Sequence, residues 1–408
     1  MDLSALMSAA EKKAAAQFEH IDRVAFKNTE KVLDAFSEYR VSDSMFAGTT
    51  GYGYDDIGRD TLEKIYAKVF GAEAALVRLN IVNGSHAIAC AMLSCLSCGD
   101  TLLSVTGAPY DTLQTLIGLR GKIGGTFPEY GIGYKQVDLK NGEPDIPAII
   151  ENAKDASAVF IQRSRGYGIR RTLSCAEIGE IVQAVRSVNP TAPVIVDNCY
   201  GEFCEEQEPL AYGADLICGS LIKNPCGGLA PSGGYVAGRA DLVERAAFRL
   251  TLPGIGGECG ATFGQNRLLF QGFFLAPHTT AQALKTAVFC AAAMEELGYD
   301  VSPASCERRY DIIQTINFGA PEPLLAFCRG VQEGAPVDSF ATPEPWPMPG
   351  YDCPVVMAAG AFIQGSSIEL SCDAPMREPY TAYMQGGLTY ESGKLGILKA
   401  VNRLLELK

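Results

Sequence analysis

VIVDNCYGEF (Val194–Phe203) opens with three branched apolar residues and then meets an aspartate, Asp197. The next such run, DLICGSLIKNP (Asp215–Pro225), has the same plan: Leu216–Cys218 are apolar, and Ser220 and Lys223 follow. Short apolar runs separated by helical sequence read as strands of a mostly parallel sheet buried on both faces. Parallel strands end on one edge, and that edge is where open α/β sheets bind ligands. Asp197 and Lys223, 26 residues apart, are therefore delivered to one crevice. Lys223 is the one charged residue in GSLIKNPCGGLAPSGGYVAG (Gly219–Gly238). An isolated ammonium in a dry crevice is costly, so it gives up its proton or finds a partner. Spacing alone leaves two readings open: a structural ion pair with Asp197, or a neutral amine that forms Schiff bases with carbonyls.

Outward from this stretch, strand and helix signals alternate. Ala74–Leu79, TLLSVTG, GYKQVDL, SAVFIQRS, PVIVDN, DLICGS and GGYVAG read as strands. Helices are expected over residues 1–40 and 61–69, in NGSHAIACAMLSCL, from Asp111 onward, and in SCAEIGEIVQAVRSV, which opens on a Ser174-x-x-Glu177 capping box. The pattern predicts an α/β protein with a mostly parallel seven-stranded sheet between helices. Helices dominate after Arg239, with a break expected at Pro277. The C-terminal part mixes strands (VVMAAG, SSIELS), helices and the loop ATPEPWPMPGYDCP, as a smaller α+β domain would. The boundaries expected are an N-terminal helix and arm over 1–59, a large domain over 60–295 and a small one over 296–408.

Composition narrows the class. The 408 residues are 47% hydrophobic and 20% charged, as in a globular protein. A net charge of −13 argues against nucleic acid or an anionic membrane as partner. The fourteen cysteines are scattered through a long chain, which reads as reduced thiols in a cytoplasmic protein. The start shows no basic-then-apolar leader pattern, and no apolar run approaches the ~20 residues a membrane span needs. With three histidines and a lone Cys95–Cys98 pair, a metal site is not expected. Neither a G-x-x-x-x-G-K-[ST] loop nor a G-x-G-x-x-G turn after the first strand is present.

Pyridoxal phosphate needs what the sheet edge offers: a lysine, an acid at the pyridine nitrogen, and donors for the phosphate. LNIVNGSHAIACAM reads as strand, tight turn and helix start, which points the N–H groups of Gly84, Ser85 and His86 at an anion. Ser220 adds a hydroxyl. An ordinary capped helix and a turn serine are the plainer readings of the same residues.

NGSHA, GAPYDTL, VDNCYGEF, GSLIKNPCGG and QGSSIELSCDAPMREPY, in that order, resemble the fold-type I pyridoxal-phosphate enzymes. With GYGYDDIGRDTLE and YMQGGLTYESGKLGI added, the whole chain resembles the methionine γ-lyase-like family known as aluminium resistance proteins, related to the cystathionine lyases. The resemblance implies a lyase that cleaves a C–S bond of a sulfur amino acid or thioether by β- or γ-elimination. An aminotransferase, another fold-type I enzyme, or a cofactor-binding scaffold with little turnover would share the same lysine and aspartate. It also implies residue roles. Lys223 is the Schiff-base lysine and Asp197 the pyridinium partner. Gly84, Ser85, His86 and Ser220 are phosphate positions. Tyr110 stacks on the cofactor ring and serves in proton transfer. Tyr54 and Arg59 reach a neighbouring subunit's phosphate, Arg59 having Asp55, Asp56 or Asp60 as alternative partners. Arg377 meets the substrate carboxylate, and Gln364 and Ser366 line the same pocket. The implied assembly is a homotetramer built from dimers with shared active sites.

Overall fold

The computed structural model describes residues 3–121, 123–168, 170–348 and 353–407. Its helices are α1 (Leu3–Glu38), α2 (Ile57–Phe70), α3 (Gly84–Cys95), α4 (Asp111–Leu116), α5 (Ile146–Ala153), α6 (Cys175–Val188), α7 (Ala240–Leu250), α8 (Asn266–Glu296), α9 (Pro321–Glu333) and α10 (Tyr390–Leu405). Its strands are β1 (Ala74–Arg78), β2 (Thr101–Ser104), β3 (Gly133–Gln136), β4 (Ala158–Gln162), β5 (Val194–Asp197), β6 (Leu216–Ser220), β7 (Gly234–Gly238), β8 (Asp300–Ser302), β9 (Ile313–Asn317), β10 (Val355–Ala359), β11 (Ser371–Pro375) and β12 (Thr381–Gln385).

The chain folds into two compact units. One comprises Glu30–Leu221 and Ala230–Gln271; the other comprises Met1–Thr29, Ile222–Leu229 and Gly272–Lys408. The division lies elsewhere than at the expected 59/60 and 295/296. It cuts α1 and α8, and the short segment that carries Lys223 leaves the unit that precedes and follows it.

The first unit is built on a seven-stranded sheet in the order β1-β7-β6-β5-β4-β2-β3. β3, β2, β4, β5 and β6 run parallel, and β7 is antiparallel to both β6 and β1. All residues of β4, β5 and β6 are buried, as expected of apolar runs covered on both faces, and the three strands end in Gln162, Asp197 and Ser220. Leu102, Phe160, Ile195, Leu216 and Val236 of the sheet pack with Ile88 and Met92 of α3 and Leu242 of α7 in one core. The register fixes the ligand edge. Gln162 lies opposite Asp197, and Asp197 opposite Cys218. Ser220 and Arg78 both lie opposite Gly234, so the carboxyl end of β1 reaches the same edge. The expected capping box of α6 is present in full, with Ser174 and Glu177 exchanging hydrogen bonds.

The second unit holds a five-stranded antiparallel sheet, β10-β11-β12-β9-β8. Phe289 and Met294 of α8, Phe327 of α9 and Ile397 and Leu404 of α10 pack on Ile316, Val356 and Met384 of that sheet.

Two local expectations are corrected. α8 runs through Pro277 without ending there. Proline costs a helix interior about 3 kcal/mol, and a continuous α8 buries Phe273, Ala276, Leu284 and Val288, which outweighs that cost at about 25 cal/mol per Å². SSIELS is turn rather than strand, and β11 begins at Ser371. The buried Glu369 carboxylate accepts from the N–H groups of Phe362 and Ile363 and so curls the segment back on itself. In ATPEPWPMPGYDCP, residues 349–352 lie outside the described residues.

Candidate active site

α3 starts where the sequence placed it. Asn83 caps it, its Oδ1 accepting from the N–H of His86 at 2.9 Å. That bond removes His86 from the anion donors expected, and its ring is also engaged, Nδ1 accepting from the N–H of Val82 at 3.1 Å. Gly84 and Ser85 supply the remaining first-turn N–H groups, which have no acceptor within the helix. Gly84 is close to β6: a Cβ built on it would lie 3.3 Å from Ser220 Cβ and 3.4 Å from Cys199 Sγ. Ser220 is fully buried, and its Oγ has no hydrogen-bond partner among the described residues. A buried hydroxyl without a partner costs roughly 1–3 kcal/mol, and here it sits beside a helix start at a glycine. Together these groups make an anion cradle of the kind a phosphate ester fits. The Ser85 hydroxyl pairs with Thr112 Oγ1 at 2.7 Å, which ties α3 to the first turn of α4.

Asp197 ends β5 nearly buried, at 6% exposure. Its Oδ1 accepts from the N–H of Cys199 at 3.1 Å, so Asp197, Cys199, Gly84 and Ser220 form a continuous group. Glu202, in the loop after β5, accepts from the Tyr235 hydroxyl at 2.8 Å. Burial pushes the Glu202 carboxyl well above its ordinary value, only partly offset by its hydrogen bonds. Only glycine fits at 219, where a Cβ would come within 2.5 Å of Glu202 Oε1. Tyr110 stands at the start of α4, its N–H donating to Gln162 Oε1 at 2.7 Å and its ring 5.9 Å from that of Tyr167. It therefore belongs to the same sheet edge as Asp197.

Arg59 is committed within its own chain. The buried guanidinium donates to the carbonyls of Gly53, Gly260 and Glu258 and pairs with Asp60, one of its expected alternative partners. Tyr54 differs: it is 53% exposed, with its ring stacked on Tyr52 at 5.6 Å. A hydrogen bond with Cys259 holds its phenol above the ordinary value.

In the other unit, Lys223 precedes a short turn of 3₁₀ helix, Asn224–Cys226. Its Nζ donates to Ser367 Oγ at 3.1 Å. Gly227 and Gly228 follow at φ +53° and +83°. Side chains there would meet the Gly272 carbonyl at 3.0 Å and Leu388 at 2.6 Å, so these glycines are needed for both conformation and space. Ser366 is buried with an unpartnered hydroxyl, and Gln364 is exposed. Arg377 is exposed in the turn between β11 and β12.

Gln162, Cys199 and Glu202 on the sheet edge, and Ser367 as the partner of Lys223, are candidates that the sequence does not single out. Ser367 had a signal, as the neighbour of Ser366. The other three become visible only through register and long-range contact.

The two sheets and the order of their strands define the class: the fold-type I architecture of pyridoxal-phosphate enzymes. A pyridoxal-5'-phosphate-dependent protein of Escherichia coli, YhfS, shares this fold with a TM-score of 0.63 at 19% identity, over 94% of this chain and 97% of that one. Within that class the chain belongs to the methionine gamma-lyase family, whose sequence pattern matches residues 3–405. An uncharacterized protein of Bacillus subtilis (strain 168), YnbB, is 49% identical over 389 residues, 95% of this chain and 92% of its own. The crystal structure of a carbon-sulfur lyase involved in aluminum resistance from Clostridium novyi NT is 50% identical with a TM-score of 0.95, over 98% of this chain and 95% of that one.

No helix among the described residues is long and apolar enough to cross a membrane.

Proposed function

We propose that this protein is a pyridoxal-phosphate-dependent carbon–sulfur lyase acting on a sulfur amino acid or thioether. The observation that carries the reading is the pair formed by the unpartnered, buried Ser220 hydroxyl and the glycine start of α3, an anion cradle on the sheet edge that ends in Asp197. Family membership and the carbon-sulfur lyase from Clostridium novyi NT support it.

Bound pyridoxal 5'-phosphate supplies an electron sink for the pair left when an amino acid loses its α-proton. The N–H groups of Gly84 and Ser85 and the Ser220 hydroxyl hold the phosphate. Asp197 would keep a proton on the pyridine nitrogen. Tyr110 lies against the ring. Lys223 would hold the cofactor through Nζ, and that amine would accept the α-proton as general base. Ser367 Oγ, which accepts from Nζ, orients that amine. Arg377, in the turn after β11, is the candidate for the substrate carboxylate, and Arg59 donates to the carbonyls of Gly53, Gly260 and Glu258. Tyr54, exposed and stacked on Tyr52, is assigned to the contact with a second copy of the chain, within a homotetramer of dimers in the cytoplasm.

The test is direct. Wild type is expected to be yellow with bound cofactor and to release thiol and keto acid from a thioether amino acid without an amino acceptor. Lys223→Ala is expected to lose the visible absorbance of the wild type and at least 1,000-fold in turnover, about 4 kcal/mol of barrier. A wild type that stays colourless with added pyridoxal 5'-phosphate would sink the reading, and keto-acid release only with an acceptor would make the enzyme an aminotransferase.

A further inference from the structure

Gln162 is the last residue of β4, 7% exposed and in register with Asp197. Both ends of its side-chain amide are used. Oε1 accepts from the N–H of Tyr110 at 2.7 Å, and Nε2 donates to the Ser164 carbonyl at 3.1 Å. A backbone N–H can only donate and a carbonyl can only accept, so these two partners fix which way the amide points. Its backbone is held as well: the N–H donates to Thr106 Oγ1 at 3.0 Å, and the carbonyl accepts from Arg170 Nη2 at 2.8 Å. Gln162 is thus a rigid acceptor on the ligand edge, aimed at one residue.

The residue it holds needs holding. Tyr110 precedes α4, which has six residues and no side-chain cap. So short a helix has little stability of its own, because nucleation costs more than a few hydrogen bonds return. A second observation concerns the space between the two residues. Gly166, at φ +56°, lies against both: a Cβ there would come within 3.2 Å of Gln162 Nε2 and 3.4 Å of Tyr110 Cδ2. The chain therefore leaves out a side chain where it would press on the amide and the ring together. Tyr167 then closes on Tyr110, ring to ring, at 5.9 Å and 58°.

We propose that Gln162 is a positioning residue for Tyr110: its amide oxygen sets the start of α4 and thereby fixes the tyrosine ring over the ligand edge beside Asp197. The inference rests on the reading that this edge binds pyridoxal 5'-phosphate under Tyr110. Gln162 touches neither cofactor nor substrate and acts only through the tyrosine.

A double-mutant cycle tests this with binding rather than turnover. Wild type, Gln162→Met, Tyr110→Ala and the double variant are titrated with pyridoxal 5'-phosphate, recording affinity and the circular dichroism of the visible band. Each single change is expected to weaken binding on the order of 10-fold and to diminish the dichroism. A group that acts through another adds nothing once that other is gone, so the double variant is expected to match Tyr110→Ala within about twofold. Losses that multiply to about 100-fold, with the cofactor still bound, would overturn the inference while leaving the cofactor reading intact. Gln162→Glu, which retains the acceptor for the Tyr110 N–H, is expected to keep the wild-type dichroism, and a loss equal to that of Gln162→Met would also overturn it. Failure of the wild type to bind pyridoxal 5'-phosphate would remove both the cofactor reading and the inference.

Discussion

Two buried polar groups of the sheet unit, Arg163 and Ser220, are treated in opposite ways. Arg163 follows β4 and is fully buried. Its guanidinium donates to Asn198 Oδ1 at 2.7 Å, to the Gly201 carbonyl at 3.0 Å, to the Leu173 carbonyl at 3.3 Å and to Glu205 at 2.6 Å, with Glu208 at 3.5 Å. Glu208 in turn accepts from Asn198 Nδ2 and the N–H of Phe203, both at 2.9 Å. This hub holds the loop after β5, where Tyr200 and Phe203 are forced to φ +72° and +62°. Side chains in that region cost on the order of 1–3 kcal/mol each and persist only where the surroundings impose them. Ser220 has no such network: it is as deeply buried, and its hydroxyl is unpartnered among the described residues. Groups that the chain saturates build structure. Ser220, buried and unsatisfied beside the glycine start of α3, is placed to meet a ligand.

The contrast can be broken most violently at Arg163. Arg163→Met strands the Glu208 carboxylate in the interior, so urea unfolding is expected to show a loss of roughly 3–5 kcal/mol. A loss below about 1 kcal/mol would mean that the hub is ornamental and the comparison empty.

A smaller effect is expected at Asp56, another saturated group. Burial alone would raise its carboxyl, but hydrogen bonds from the N–H of Arg59 and from Thr262, Thr49 and Asn266 more than offset this and hold it below its ordinary value. The folded protein therefore favours the carboxylate more than the unfolded chain does. The stability it contributes is complete above the ordinary carboxyl pKa of about 4 and fades as pH falls through the lower folded value. Asp56→Asn is expected to cost roughly 2 kcal/mol at neutral pH and to flatten part of the acid limb of a stability–pH curve. An unchanged acid limb would contradict the assignment.

The smallest effect on stability, and the one most telling for the comparison, is expected at the cradle. Ser220→Ala removes an unpartnered hydroxyl, so without ligand the protein is expected to be unchanged or more stable by about 1 kcal/mol. Its affinity for pyridoxal 5'-phosphate is nonetheless expected to fall on the order of 10-fold, about 1.4 kcal/mol. Gly84→Ala should behave alike, gaining up to about 1 kcal/mol in helix propensity while its Cβ fills the cradle. Calorimetric melts beside a cofactor titration would show the opposed signs. A stability loss in Ser220→Ala would place Ser220 with Arg163 among the structural groups.

How much of this was legible in the sequence follows the same line between local and distant causes. Except for β3 (Gly133–Gln136), which is polar and mostly exposed, the strands of the main sheet were readable because each holds a short apolar run. The α6 cap was readable because Ser174 and Glu177 are three residues apart. Asp197, Ser220 and Lys223 were readable as residues that follow apolar strands. What failed depended on partners far away in the chain. SSIELS alternates like a strand, but Glu369 turns it by capturing Phe362 and Ile363, and a Cβ on Gly386 would come within 2.1 Å of the Glu369 carbonyl. Pro277 looked like a stop because the buried residues that carry α8 past it pack on other elements. Segment 222–229 joins the second unit because Gly227 and Gly228 pack on Gly272 and Leu388, contacts that no local pattern announces.

The central claim is that the edge built from Gly84, Asp197 and Ser220 holds a phosphate-bearing cofactor fixed to Lys223. Borohydride reduction of the protein loaded with pyridoxal 5'-phosphate, followed by peptide mass mapping, asks this most directly. The account predicts one phosphopyridoxyl group per chain, on Lys223, and a sharply reduced yield at limiting cofactor in Ser220→Ala. A label on another lysine, or scattered over several with no dependence on Ser220, would contradict it.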